Sequence, residues 1–254
     1  MKKKLVGLTL LLLFQLPFST NSFAQQVDTI QHTFNSTILK PSSLILPGAM
    51  ILYGVWATEN TSLKKINNNI KDQIYVNNPH GKVHIDDYFQ YTPAAIALGL
   101  SCVGIKGKDN TRDIAMIYLM SNVILNATVT TLKHTTHQLR PDGSAYNSFP
   151  SGHTTEAFAS AELLRIEYKD RSPWLGIVGY SIAAATGYLR MYNNKHWFSD
   201  VVSGAGIGIA STKIAYWLYS KVEPKLFKHK KRNTFVVPTY HQGNIGLSIS
   251  YRVN

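Results

Sequence analysis

Three short clusters in this sequence carry residue types that together could hold an oxyanion and transfer it. The first is Lys133 with Arg140 and Pro141 after it. Arginine offers a planar fork and lysine a point charge to anionic oxygens, although such residues near a helix end also serve as snorkelling or dipole-pairing groups. The second is Pro150, Ser151, Gly152 and His153, just before a helical pattern. Glycine lets a ligand approach the backbone, and a helix start aims free N–H groups at an anion. Ser151 adds a hydroxyl, and His153 can carry a proton near neutral pH. The bland alternative is a capped helix with an exposed histidine. The third is Arg190, His196 and Asp200. If a helix begins by His196, the spacing puts His196 and Asp200 on one face. The carboxylate can then take the proton of one ring nitrogen and leave the other free to attack phosphorus. A structural His–Asp surface pair has the same spacing. Jointly the clusters supply cations, a helix terminus, a proton donor, a nucleophile and its orienter, which is what phosphoryl transfer requires.

Bringing these clusters to one point takes long rigid elements, and the sequence supplies apolar ones. Five stretches, 43–57, 92–105, 114–131, 173–189 and 201–219, have the length and Gly/Ala content of membrane or deeply buried helices. Between Ser151 and Tyr168 the pattern is amphipathic, with Ala157, Ala161, Leu164 and Tyr168 on one stripe and Glu156, Glu162 and Arg165 elsewhere. Pro47 and Lys213 interrupt the first and last stretches. Past Thr234, alternation through Ile245, Leu247, Ile249 and Tyr251 after a Gly243 turn predicts a β-hairpin. The expected fold is all-α: a bundle of about six helices, membrane-embedded, with a short C-terminal hairpin. Its expected divisions are a signal peptide over 1–24, a segment over 25–88 with one interfacial or packed helix, a catalytic core over 89–232 and a hairpin tail over 233–254.

Composition agrees with a membrane location without requiring it. Charged residues are 16% of the chain, below the roughly 25% of soluble domains, yet the mean hydropathy of -0.08 is low for a protein threaded repeatedly through lipid. The net charge of +12 points to anionic partners. Lys221, Lys225, Lys228, Lys230, Lys231 and Arg232 crowd behind the last apolar stretch, as in a juxtamembrane cytoplasmic anchor or a solvated basic tail. The start, Lys2 to Lys4 followed by an apolar run to Phe18 and small residues to Ala24, reads as an export signal or an uncleaved anchor. Cys102, the single cysteine, excludes an internal disulfide and reads as a small buried hydrophobe. His134 and His137 share a helix face but have no acidic or cysteine partner nearby to form a ligand set.

The ordered set K-x6-R-P, P-S-G-H and R-x5-H-x3-D, from Lys133 to Asp200, resembles the signature of the type 2 phosphatidic acid phosphatase superfamily. Its members include lipid phosphatases, undecaprenyl diphosphate phosphatases, acid phosphatases and vanadium-dependent haloperoxidases. The segments DDYFQYTPAA, RPDGSAYNSFPSGH and EAFASAELLRIEY also resemble envelope phosphatases of the lipid A 4′-phosphatase type. The resemblance implies that His196 attacks phosphorus, Asp200 orients it, and His153 protonates the leaving alkoxide and then activates water. Lys133, Arg140, Ser151, Gly152 and Arg190 would bind the phosphoryl oxygens. It further implies a phosphorylated lipid and a membrane as partners, without cofactor, metal, nucleic acid or obligate protein partner. The third motif usually begins Ser-Arg, whereas Leu189 precedes Arg190 here, so one hydroxyl is missing.

Lipid A phosphate is the first expected substrate, with undecaprenyl diphosphate and phosphatidylglycerophosphate next. The expected location is the inner membrane with the site facing the periplasm. The alternatives are a soluble periplasmic acid phosphatase or phosphotransferase, a vanadate-dependent oxidase, and a basic lipid-binding protein without catalysis. Placing the motifs in the periplasm puts Lys106, Lys108, Arg112, Lys169 and Arg171 inside, as the positive-inside tendency asks. A signal leaving Gln25 outside would then conflict with a full crossing at 43–57, so that helix is expected to pack against the bundle or lie in the interface.

Overall fold

The computed structural model describes residues 39–226 and the backbone of two strands, 234–241 and 244–251. The predicted signal, Lys228, Lys230, Lys231, Arg232 and the Gly243 turn lie outside the described residues. After a short 3-10 turn, eight α-helices follow among the described residues: α1 Ile45–Ala57, α2 Thr61–Lys71, α3 Asp86–Phe89, α4 Thr92–Cys102, α5 Thr111–Thr136, α6 Gly152–Tyr168, α7 Pro173–Tyr192 and α8 Phe198–Leu226. Strands β1 Thr234–His241 and β2 Asn244–Tyr251 pair antiparallel, from Thr234 opposite Tyr251 to His241 opposite Asn244.

Local chemistry sets several helix starts. Asn110 caps α5 by accepting from Asp113 N at 3.0 Å, Asn60 caps α2 by accepting from Leu63 N at 3.0 Å, and Pro173 begins α7, where a missing N–H costs nothing. Pro47 sits in the first turn of α1 for the same reason and does not break it.

Helix α6 is central. Nearly every residue from Thr154 to Leu164 is buried, so it is not the amphipathic surface helix its charges suggest. Its acids are buried with partners. Glu162 takes both Arg165 Nε and Nη2 at 2.7 Å and the Tyr180 hydroxyl at 2.6 Å, while Glu156 accepts from Tyr118 and Glu167 from Tyr216. Buried carboxylates of this kind are tolerated because each carboxylate meets at least one donor.

The main apolar core lies between α4, α5, α6 and α8, around Ala97, Ile114, Ile117, Leu163, Leu164, Tyr168 and Tyr219. Burying an Ile or Leu there stabilises the fold by about 2 kcal/mol each. Glycines let α8 approach its neighbours: a Cβ on Gly204 would come 2.8 Å from Ser151 O on the α6 side, and one on Gly206 would come 2.6 Å from Pro47 O of α1. Through the Gly206 contact α1 lies along α8, and the turn before α1 is tied to Lys213, whose Nζ donates to Ser43 O at 3.1 Å. At 1.5 Å per residue its 13 residues cover about 20 Å, short of the roughly 30 Å of a bilayer core.

Cys102 differs from expectation. It is exposed, at the end of α4 beside Val103, which is 75% exposed. Apolar side chains also face outward on α1 (Ile45, Leu46, Leu52, Trp56), α5 (Leu119, Val123) and α7 (Trp174, Ile177). Among the described residues, α5 is the one helix long and apolar enough to cross a membrane; the segments 41–57 and 61–76 pass only as a pair bent by 95°.

Candidate active site

The ends of α5 and α7 and the starts of α6 and α8 meet at one end of the bundle, and they carry the three motifs. Lys133 is in the last turn of α5, and the chain leaves that helix through His137, held in the left-handed region at φ 44°. Residues 138–151 return to α6 as a loop pinned at several points. Ser148 N donates to Gln138 O at 2.9 Å, Lys195 Nζ to Asp142 Oδ2 at 2.6 Å, Trp197 Nε1 to Leu139 O at 2.9 Å, and Lys71 Nζ to Pro141 O at 2.8 Å. Such fixing matters because a site must hold its geometry before the substrate arrives.

His196 precedes α8 by two residues, so His196 and Asp200 do not share a helix as the spacing suggested. Asp200 instead closes the first turn of α8, accepting from Trp197 N at 2.9 Å in the manner of a capping box. The imidazole is buried, and its Nδ1 lies 2.8 Å from Ser148 O and 3.5 Å from Asp200 Oδ2. A carbonyl oxygen only accepts, so Nδ1 carries the hydrogen and Nε2 keeps its lone pair. Asp200 Oδ2 in turn receives the Ser148 hydroxyl at 2.5 Å. Ser148 therefore links carboxylate and imidazole: its carbonyl meets the ring and its hydroxyl meets Asp200. Burial lowers the His196 pKa to about 4; Asp200 opposes this pull, while Arg190 and Lys133 reinforce it.

The cations gather around this ring. Lys133 Nζ donates to Asn147 O at 2.5 Å and Arg140 Nε to Asn147 Oδ1 at 2.8 Å, so one asparagine ties both to the loop. Burial pushes the Arg140 pKa down, and the nearby charge of Arg190 adds to this. Arg190 is buried at the end of α7. Its Nη1 donates to Asp86 Oδ2 at 2.5 Å, and its Nε has no partner among the described residues. A buried donor without a partner is uncommon in proteins and is available to an anionic oxygen.

Ser151 and Gly152 begin α6. Ser151 N donates to Asp200 O at 3.1 Å, and its hydroxyl pairs with that of Thr154 at 2.8 Å. No side chain caps the first-turn N–H groups, so the capped-helix alternative does not hold. A side chain at Gly152 would meet only Val129, at 4.0 Å, so packing does not demand glycine there. His153, less buried than His196, places Nε2 2.9 Å from Asp87 Oδ1. All eight residues selected from the sequence thus belong to one end of the bundle, and seven are joined by these hydrogen bonds and charge contacts.

Asp86, Asp87, Asn147 and Ser148 were not selected. They lie in the DDYFQYTPAA and RPDGSAYNSFPSGH segments, whose resemblance to envelope phosphatases was the available signal, but their partners are long-range. Donor atoms of Asp86, Asp87 and His153 lie within 4.8 Å of one another, the one such group among the described residues. The Arg190 guanidinium already supplies positive charge there, which fits an ion-pair array better than a divalent ion.

Residues 114–224 match the PAP2 superfamily. They form a PAP2 superfamily domain. A "Lipid A 1-phosphatase" of Porphyromonas gingivalis is 33% identical over 224 residues, covering 83% of this chain and 49% of that protein. The bacitracin transport permease protein BcrC of Bacillus licheniformis is 31% identical over 101 residues, 39% of this chain and 48% of that protein. The chain thus spans about half the length of the curated relatives it matches. The fold is similar to two crystal structures. LpxE of Aquifex aeolicus has a TM-score of 0.45 at 23% identity, covering 59% of this chain and 94% of that one. A PAP2 type phosphatidylglycerolphosphate phosphatase from Bacillus subtilis has 0.44 at 16%, covering 73% and 99%. The matched PAP2 segment contains all eight selected residues and both Asn147 and Ser148, and it leaves out Asp86 and Asp87.

Proposed function

We propose that this chain is a phosphatase of an envelope lipid, working through a phosphohistidine on His196 at the periplasmic face of the inner membrane. The observation that carries the reading is the convergence of an unprotonated His196 Nε2, three cations and the uncapped start of α6 at one end of a PAP2 domain.

In this scheme Nε2 attacks phosphorus in line and the bond to the ester oxygen breaks. The leaving alkoxide takes its proton from His153. Water then attacks the phosphohistidine, gives its proton to His153 and releases inorganic phosphate together with free imidazole. Lys133, Arg140, Arg190, Ser151 and the backbone at Gly152 hold the three phosphoryl oxygens, whose charge grows in the transition state. Every group in the cycle belongs to this chain. The Nδ1–H held by Ser148 O keeps the attacking tautomer through both steps.

A lipid A phosphate is the substrate this reading favours, because the relative named a lipid A 1-phosphatase aligns over most of the chain. The outward apolar side chains of α1, α5 and α7 support a membrane location over the soluble acid phosphatase alternative, since soluble monomers rarely expose so many. The test is mass spectrometry of envelope lipids from cells carrying the active chain or His196→Ala. Lipid A lacking one phosphate only with the active chain is expected. Unchanged lipid A, with loss of phosphate from undecaprenyl diphosphate or phosphatidylglycerophosphate, would reassign the substrate.

A further inference from the structure

Residues 77–91 form a strap between α2 and α4 that crosses the end of α7, and it is anchored at two places before it reaches the site. His80 stacks on Tyr192 with ring centroids 3.4 Å apart and an interplanar angle of 19°, and its Nε2 meets Tyr192 O at 2.8 Å. Three residues on, Asn193 imitates a strand partner: Val83 N donates to Asn193 Oδ1 at 2.9 Å, and Asn193 Nδ2 donates to Val83 O at 2.7 Å. The register set by these contacts brings Asp86 to Arg190 and Asp87 to His153. The two anchors lie near the C-terminal end of the helix that carries Arg190, so strap and cation are fixed to the same helix end.

We propose that Asp87 is the positioning residue of His153, making the acid–base histidine a carboxylate–imidazole pair supplied from outside the PAP2 domain. The carboxylate only accepts, so His153 Nε2 holds the hydrogen of the 2.9 Å contact and Nδ1 is the atom left to exchange a proton with leaving group and water. The need for a carboxylate is electrostatic. A proton donor in this scheme must reach the imidazolium state, which burial opposes first and the like charge of Arg190 second, and Asp86 is already paired with Arg190. Asp87 adds to the negative charge of Asp86 and is the carboxylate that meets the ring directly, at 2.9 Å. Its other oxygen lies 3.8 Å from Nδ1 of the exposed His84, which leaves the pairing with His153 the closer one. His196 is positioned by the loop and α8, and His153 by the strap, so the two rings are held independently.

The inference rests on the assignment of His153 as acid and base made above, and leaving-group dependence separates the two. Full-length wild type, Asp87→Asn, Asp87→Glu and His153→Ala are compared in detergent on two amphiphilic phosphates of equal chain length. One has an alkyl leaving group that needs a proton and the other a nitrophenolate that does not. General acid–base catalysis contributes about 10²- to 10⁴-fold, so His153→Ala should lose at least about a hundredfold in kcat on the alkyl ester. Asp87→Asn should lose about tenfold or more on that ester with KM little changed, a share of the same contribution. Its first burst of nitrophenolate should stay within about twofold of wild type, because that step needs no donated proton. Asp87→Glu, which keeps the charge, should recover part of the alkyl activity. Equal losses on both substrates in Asp87→Asn, or none on either, while His153→Ala shows the dependence, would overturn the role of Asp87 alone. A His153→Ala variant equally impaired on both would overturn the acid assignment and this inference with it. Asp87 is half exposed and makes no buried contact, so loss of folding is not expected from these changes.

Discussion

The helix ends that bear the motifs and the strap that crosses them are built in different ways. At the motif end, α5, α6, α7 and α8 are fixed by the packed core, and the groups they present touch their own loops: Lys133 and Arg140 meet Asn147, and His196 meets Ser148. The strap has little core of its own. It is held by side chains that imitate backbone or stack, and it contributes the carboxylates that meet Arg190 and His153. The difference teaches that the domain assembles the cationic cup together with Asp200, while the carboxylates that face Arg190 and His153 come from a segment before residue 114. A cup of three cations and two histidines in the absence of a phosphate is electrostatically costly, and Asp86 offsets part of that cost.

The sharpest way to break this contrast is Asp86→Asn. It leaves Arg190 buried without its counter-charge, which for a buried pair costs about 3 kcal/mol, and frees the guanidinium to turn away from the phosphoryl oxygens. We expect kcat/KM to fall by about a hundredfold, equivalent to about 2.7 kcal/mol, with thermal denaturation showing the loss of stability separately. Wild-type kcat/KM in a destabilised variant would mean that the strap only covers the site.

Asn193→Ala comes next. It removes both hydrogen bonds to Val83, worth about 1 kcal/mol each, and leaves every motif residue in place. Activity should drop about tenfold, with faster hydrogen exchange confined to the strap. A fall in protection across α6 or α8 would show that the strap and the bundle form one unit.

How much of this was legible in the sequence differs between the two regions for physical reasons. The long helices declared themselves by apolar runs, and the motif residues by type and order, because both are local signals. Helix α2 was missed: Leu63, Ile66 and Ile70 form its apolar stripe behind the Asn60 cap, but three asparagines and three lysines hide it in a hydropathy reading. The burial of Glu156, Glu162 and Glu167 was illegible because each is made acceptable by a tyrosine or arginine whose nearness only the fold creates. Asp86 and Asp87 were invisible as site residues for the same reason, since 104 and 66 residues separate them from Arg190 and His153. Cys102 read as buried because it lies in an apolar stretch, and hydropathy does not show which side chains of such a stretch face outward.

A smaller effect tests the burial of His196. An ordinary histidine titrates near 6.5, and this one near 4, so its ring stays neutral and nucleophilic as pH falls from 7 through 5 and gains a proton only toward 4. In ¹⁵N-histidine spectra, the signal absent from His196→Ala should keep its neutral shifts to about pH 5. A midpoint near 6.5 would mean the ring is open to solvent. The smallest expected effect is none at all: EDTA should leave turnover unchanged, since Arg190 holds the charge among Asp86, Asp87 and His153. A loss reversed by a divalent ion would turn that trio into a metal site.

The most direct measurement is to quench the purified chain during turnover of a radiolabelled lipid phosphate and follow the label on the protein. The account predicts label that is lost in acid, kept in base, and absent from His196→Ala, while His153→Ala retains it longer because its hydrolysis is slowed. Label that survives in His196→Ala, or turnover by that variant, would contradict it.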